Sequence, residues 1–277
     1  SRIDTRGIDG GTIHIRGGQL VIDKSIIGSN TGDILLAGNS ILSKNSAQII
    51  TLTTTAANAG HITLSASGNI DLDTAEVISN AETFSGNAGN ITMISSKGTV
   101  SLSNSMVTTQ VNNGSGNTGN IKLEAPHGDI TLNNSFLFSS AQGTGTLGGI
   151  QITANNLILE NGASILGNNF TTHRAENIAI LLDGRLNLTG HSVIQTATPG
   201  SADAADLAIR SRVILISEKS KLETTTISSG DAGRLSLLAD HLEITDGGNL
   251  LSKSQIAPGS VEIPSGRGGA ISIEGFR

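Results

Sequence analysis

Gly60-His61-Ile62-Thr63-Leu64 is answered by Gly89-Asn90-Ile91-Thr92-Met93, then by Gly119-Asn120-Ile121-Lys122-Leu123 and Gly148-Gly149-Ile150-Gln151-Ile152. A Gly, a variable residue and an apolar-x-apolar triplet return about every 29 residues, and self-similarity at such a period marks a repeat architecture. The series continues without its Gly at Asn177-Ile178-Ala179-Ile180 and Asp206-Leu207-Ala208-Ile209, and with it at Gly233-Arg234-Leu235-Ser236-Leu237. Further copies at Gly11-Thr12-Ile13-His14-Ile15, Gly32-Asp33-Ile34 and Gly269-Ala270-Ile271-Ser272-Ile273 bring the anchors to ten.

Eight or nine residues after each anchor a second alternating segment appears: Ile70-Asp71-Leu72, Val100-Ser101-Leu102, Ile130-Thr131-Leu132, Leu157-Ile158-Leu159, Leu186-Asn187-Leu188, Val213-Ile214-Leu215 and Leu242-Glu243-Ile244. A third follows near Val77, Val107, Leu137, Ile165, Val193, Leu222 and Leu250. Alternation with period two puts Ile62 and Leu64 on one face and Thr63 on the other, as in a half-buried strand. No segment carries a helical period. Each repeat therefore holds three short strands.

The bend before the second strand reads Gly68, Gly98, Gly128, Asn155, Gly184, Ser211 and Asp240, mostly residues that tolerate a left-handed backbone. The bend before the third reads Thr74, Asn104, Asn134, Asn161, Gly190, Ser217 and Asp246, and its three successive Asn suggest a side-chain ladder. Three strands and three bends close most simply into one triangular coil of a parallel β-helix, right-handed by the crossover rule. A propeller blade needs a longer repeat with four strands, and the leucine-rich repeat signature is missing. Ten coils of about 29 residues predict a single all-β rod on the order of 48 Å long.

The third corner varies in length. It is Ser/Gly/Asn-rich in Ser79 to Gly89 and Thr108 to Gly119, carries Pro199 in Thr196 to Asp206, and is longest in Leu251 to Gly269, with Pro258 and Pro264. Such corners are either contact surfaces or solvated insertions. The chain opens within the pattern at Ile3 and Gly10-Gly11 and stops within it at Ile273-Glu274-Gly275-Phe276-Arg277, with no evident cap. A piece of a longer rod, or rods that associate end to end, is the expectation.

Composition narrows the function. Of 277 residues 35 are Gly, 14% are charged, 2% are aromatic and none is Cys, Trp or Tyr. A hydrophobic content of 36% is too high for a disordered tail, yet without bulky rings the interior must be thin and built from Ile, Leu and Val. Absence of Cys removes disulfides, thiolate metal sites and cysteine nucleophiles. A net charge of -6 with no basic run argues against nucleic acid as a partner. Ser1 is followed by no charged and apolar signal-peptide regions, and apolar runs such as Ile178 to Leu182 are far below a membrane span.

A β-helix can also be a polysaccharide lyase or hydrolase, which needs paired carboxylates, or carboxylate-bound calcium with a basic residue, on neighbouring coils. The outward column Asp71, Ser101, Thr131, Ile158, Asn187, Ile214 and Glu243 stacks no two acids, nor does Asp73, Ser103, Asn133, Glu160 and Thr189. Asp203 and Asp206 lie in a Pro/Gly/Ala-rich corner that offers no evident basic partner. His14, His61, His127, His173, His191 and His241 show no metal-ligand spacing, and the calcium-binding Gly-Gly-x-Gly-x-Asp repeat and a phosphate loop are missing. Thr51 to Thr55 and Thr224 to Thr226 form no Thr-x-Thr ladder on successive coils of the kind ice binding needs. No catalytic, cofactor or metal residue is assigned, and the chain is expected not to be an enzyme.

Leu157-Ile158-Leu159-Glu160-Asn161-Gly162-Ala163-Ser164-Ile165, followed by a variable stretch and, in other repeats, by Gly-Asn-Ile-x-apolar as in Gly89-Asn90-Ile91-Thr92-Met93 and Gly119-Asn120-Ile121-Lys122-Leu123, resembles the repeat of filamentous haemagglutinin-like exoproteins. Leu242-Glu243-Ile244-Thr245-Asp246-Gly247-Gly248-Asn249-Leu250 repeats it. These are the passenger adhesins of bacterial two-partner secretion. The resemblance covers nearly the whole chain and implies a shaft segment, exported through an outer-membrane β-barrel transporter and displayed on the cell surface or secreted. It further implies adhesion to a glycan or protein receptor, without catalysis or cofactor. The family's amino-terminal Asn-Pro-Asn-Gly type motif is not found here, and lack of Cys suits passage through a pore unfolded. The alternatives are a head-to-tail subunit of an extracellular filament and a polysaccharide-degrading enzyme.

Overall fold

A computed structural model describes residues 1–7, 10–255 and 266–276; Pro258, Pro264 and Arg277 lie outside the described residues. Within them the chain is all-β and contains no helix, so none is long and apolar enough to cross a membrane. Its strands pair in parallel and stack as a β-solenoid of about nine turns with about 28 residues per turn. The ten anchors bound nine turns rather than filling ten. The first turn is short, from Ile13 to Ile34, and the last long, from Leu235 to Ile271.

Three sheets run the length of the rod. In the first, the Gly-x-Ile anchors stand over one another from Ile13 through Ile62, Ile121 and Ile178 to Ile271. The second aligns Leu20, Ile41, Ile70, Val100, Ile130, Leu157, Leu186, Ile214 and Leu242. The third aligns Ile3, Ile27, Ile49, Val77, Val107, Leu137, Ile165, Ile194, Leu222 and Leu250. Several corners are tight enough for one strand to serve two sheets, as in Ser40–Thr53, Ile70–Phe84 and Ile121–Asn133.

Two positions differ from the sequence expectation by one residue. Ile214, not Val213, stacks on Leu186, and Ile194, not Val193, stacks on Ile165. Both lie in unbroken apolar runs, Val213-Ile214-Leu215-Ile216 and Val193-Ile194, where alternation gives no phase. The buried members decide it: Ile194, Ile214 and Ile216 face the core. The shift moves the preceding bend from Ser211 to Arg212, the outward column from Ile214 to Leu215, and the second corner from Ser217 to Glu218.

One aliphatic core fills the rod, and among the residues whose burial is described no Phe belongs to it. Removing these Ile, Leu and Val side chains from water is the main favourable contribution, at roughly 25 cal/mol per Å². Stacking also explains the glycines of the first corner. Gly68, Gly98 and Gly128 do not have positive φ; instead a Cβ on Gly98 would strike the Gly68 backbone in the turn below, and one on Gly128 the Gly98 carbonyl. They are there for close approach between turns rather than for left-handed backbone.

A column of hydroxyls lies inside the third sheet, two residues after its apolar anchor: Ser29, Thr51, Ser79, Thr109, Ser139, Thr196 and Thr224, all buried. A buried hydroxyl must find a partner. Thr109 Oγ1 donates to the Gly119 carbonyl at 2.9 Å, Thr196 to Ala205 at 2.7 Å and Thr224 to Gly233 at 2.6 Å. Each bond clamps the third strand to the start of the next turn, so the corner between them varies without loosening the coil. Thr51, Thr53, Thr224 and Thr226 thus face inward, which removes them from any ice-binding surface.

Candidate functional site

The second corner, between the second and third sheets, is made by residues in left-handed backbone: Thr74 (φ 55°), Asn104 (49°) and Asn134 (45°). Asn tolerates this region because its short amide bonds locally. Asn134 Nδ2 donates to Asn104 Oδ1 at 2.8 Å, so the expected ladder exists between these two turns. It does not continue to the third Asn. At Asn161-Gly162 the corner uses two left-handed residues instead of one, and Asn161 Nδ2 donates to Asn133 Oδ1 at 3.1 Å.

Beside this row, on the outer face of the third sheet, Gln48, Glu76, Met106 and Phe136 stand in register on successive turns. The two rows are the walls of a groove of about 350 Å³ running along the rod axis, with buried Ala75 and Ser105 in its floor. Gln48 Nε2 donates to Glu76 Oε2 at 2.8 Å. Phe136 is 42% exposed, one of the few large apolar side chains left in water. The column beyond it, Ile50, Ile78, Thr108, Phe138 and Leu166, continues an apolar stripe around the same face. The Asn row is legible in the sequence, but the Gln48, Glu76, Met106 and Phe136 row is not, because an outward apolar residue on a strand looks like any other break in alternation.

Farther along the third sheet, the Glu223 carboxylate is 1% exposed on the strand Lys221–Thr226. Lys221 Nζ reaches it at 2.5 Å and Lys253 Nζ at 2.9 Å, and Gln195 Nε2 donates to it at 3.1 Å. Burial pushes this carboxyl up, but the two lysine hydrogen bonds and charges overturn that and hold it below the ordinary range. On the second sheet Asp71 has burial without a cation, which raises its pKa. Asp23 is lowered, chiefly by the hydrogen bond from Asn45 Nδ2 at 2.8 Å.

The third corner is knit by a different device. At six of the first-sheet anchors the preceding residue, Asp33, His61, Asn90, Asn120, Asn177 or Asp206, offers a side-chain acceptor to the backbone N–H of its successor one turn on. Asp33 Oδ1 accepts from His61 N at 2.8 Å, His61 Nδ1 from Asn90 N at 2.8 Å, Asn90 Oδ1 from Asn120 N at 2.8 Å and Asn120 Oδ1 from Gly149 N at 2.7 Å. Asp206 and Asp203 serve the same purpose for Arg234 N and Asp231 N, both at 2.8 Å. Asp206 also has the basic partner that its neighbourhood in sequence concealed, since Arg174 Nη2 lies 3.0 Å from Oδ2. These acids are structural acceptors.

The other histidines are scattered. His14 accepts from Arg16 Nε at 3.0 Å, His191 sits in left-handed backbone at φ 65°, and His241 lies 3.5 Å from Glu243. Among the described residues no three His, Asp or Glu side chains gather as a metal site. The outward column of the second sheet, with Leu215 in place of Ile214, brings Asp71 beside Leu42 and Ser101 and places Glu243 beside Leu215.

No protein-family model, curated protein or solved structure matches this chain. The assignment of a role therefore rests on the repeat residues and on the surfaces just described.

Proposed function

We propose that this chain is a non-catalytic rod segment of a secreted or cell-surface bacterial exoprotein, acting as a stalk with an adhesive lateral face. The observation that carries it is the parallel stacking of the anchors from Ile13 to Ile271, with buried hydroxyls such as Thr51, Thr109, Thr196 and Thr224 clamping the corners they occupy. A solenoid of this kind bends little, and each turn presents the same outer columns at about 4.8 Å spacing, which suits display along a line. The likeness of Leu157–Ile165 and Leu242–Leu250 to haemagglutinin-like repeats supports export through an outer-membrane β-barrel transporter, and the lack of Cys agrees with it. Solution scattering of the purified chain, with adhesion of chain-coated beads to cells or glycan-coated surfaces, tests this. A rod profile with saturable adhesion supports it. A globular profile, or release of new reducing ends or unsaturated products from polysaccharide, overturns it.

A further inference from the structure

We propose that the groove between Glu76, Asn104, Asn134 and Phe136 binds a neutral sugar chain laid along the rod axis. This rests on the rod being an adhesive surface and names the place and the chemistry of its adhesion. Phe136 supplies an exposed ring, extended by Met106 one turn below, onto which the C–H face of a pyranose packs. Asn104 and Asn134 bond to each other through one amide group each. That leaves the side-chain Asn104 Nδ2 as a donor and Asn134 Oδ1 as an acceptor, on exposed residues of neighbouring turns. Both are fixed by left-handed backbone and mutual bonding, so little side-chain freedom is lost when a ligand binds.

Glu76 sets the sign of the ligand. It accepts from Gln48, makes no ion pair among the described residues, and as a carboxylate offers only acceptors. Hydroxyl donors without negative charge satisfy it, whereas an acidic polymer meets repulsion from it and from the net charge of -6. An extended peptide normally adds to a free strand edge. Here Ile70–Phe84 is paired on both sides, by Ser40–Thr53 and by Val100–Ser103 with Met106–Gly114, so the groove offers side chains only. Vicinal ring hydroxyls, each both donor and acceptor, match that set. The groove crosses four turns, about 14 Å at the strand spacing, which is the length of a short oligosaccharide.

The test uses an array of neutral tetrasaccharides of glucose, galactose, mannose and N-acetylglucosamine, with polygalacturonate and an extended peptide as comparators. At least one neutral chain is expected to bind the whole protein. Phe136→Ala should weaken it about tenfold and Asn104→Ala should weaken it too, while Phe170→Ala, an exposed ring at the third corner, leaves it unchanged. Thermal melts and solution scattering of each variant establish that the rod is intact. Binding of no neutral chain, binding only to the acidic polymer or the peptide, or equal loss in Phe170→Ala overturns the site. Lost sugar binding with preserved rod scattering removes this groove and leaves the stalk; a globular profile removes the stalk itself.

Discussion

The Thr51 hydroxyl donates to the Gly60 carbonyl oxygen at 2.7 Å, across nine residues of chain. Both groups are buried, and Thr51 also meets the Ser79 hydroxyl of the next turn at 2.9 Å. The bond closes the third corner from inside, where water cannot compete. A corner held this way is free to change outside the clamp. That separates a rigid core from a surface able to vary, as a rod that presents its flank requires.

Thr196→Val tests the clamp with little change of shape. It deletes the donor to Ala205 O and leaves that buried carbonyl without it. The expected loss is about 1–3 kcal/mol in chemical denaturation. Proteolytic nicking should rise at the corner that carries Pro199. An unchanged midpoint would show that the hydroxyl column is incidental.

Gly89 and Gly162 are both glycine for different reasons, and alanine separates them. At Gly89 a Cβ would strike the Gly60 carbonyl in the adjacent turn, so the two turns must part. Where this column abandons Gly, at Glu176 and Ala205, two consecutive turns change together. Gly162 has open space around a Cβ and only its φ of +78° to strain. Gly89→Ala should cost more than about 2 kcal/mol and Gly162→Ala about 1 kcal/mol, read as shifts in denaturation midpoint.

Asp71 has a raised pKa because burial disfavours its charge. The folded state thus binds its proton more tightly than the unfolded chain does, and ionised Asp71 destabilises the fold above the ordinary carboxylate range. Asp71→Asn should raise Tm by about 1–2 °C at neutral pH, a small effect because the group is only partly buried. The difference should vanish in acid, where wild-type Asp71 is already neutral in both states. A lower Tm for the variant at pH 7 would show an unrecognised favourable interaction of the charge.

Glu223 has the opposite sign. Its lowered pKa means that ionisation favours the fold, so its contribution is present above the ordinary carboxylate pKa and lost as pH falls through the lowered one. Glu223→Gln leaves Lys221 and Lys253 facing an uncharged partner and should cost about 1–3 kcal/mol at neutral pH. The wild-type and variant curves should converge in acid, once Glu223 is protonated in both the folded and the unfolded state. Parallel curves across the whole range would remove the ion-pair account.

The repeat of Gly-x-Ile made the parallel stack legible, because the seven anchors from Ile62 to Leu235 return at a near-constant interval and leave few ways to wind. Phase within a strand was legible only where polar and apolar residues alternate, as at Ile62-Thr63-Leu64. In Val213-Ile214-Leu215-Ile216 every residue is apolar, and burial in three dimensions was needed to choose. The hydroxyl clamp did leave a trace, a Ser or Thr two places after Ile49, Val77, Val107, Leu137, Ile194 and Leu222. Its meaning depends on a carbonyl one corner away. The groove left less, since Gln48, Glu76, Met106 and Phe136 share no residue type and meet only through the 28- to 30-residue stacking of the turns.

His61 offers the sharpest check on the outer ladder, because it is the one imidazole in a column otherwise served by Asp and Asn. Its Nδ1 accepts the Asn90 N–H at 2.8 Å, while Asn90 and Asn120 do the same work with amide oxygens for the turns that follow. If the column is selected for an acceptor at this reach rather than for imidazole chemistry, His61→Asn should leave stability within about 0.5 kcal/mol of wild type. His61→Ala should instead release the Asn90 amide to solvent. Amide hydrogen exchange at Asn90 should then quicken about tenfold, with exchange at Asn120 unchanged because its own acceptor remains. Faster exchange in His61→Asn as well would mean that the imidazole does something an amide cannot, and the ladder would not be a simple chain of acceptors.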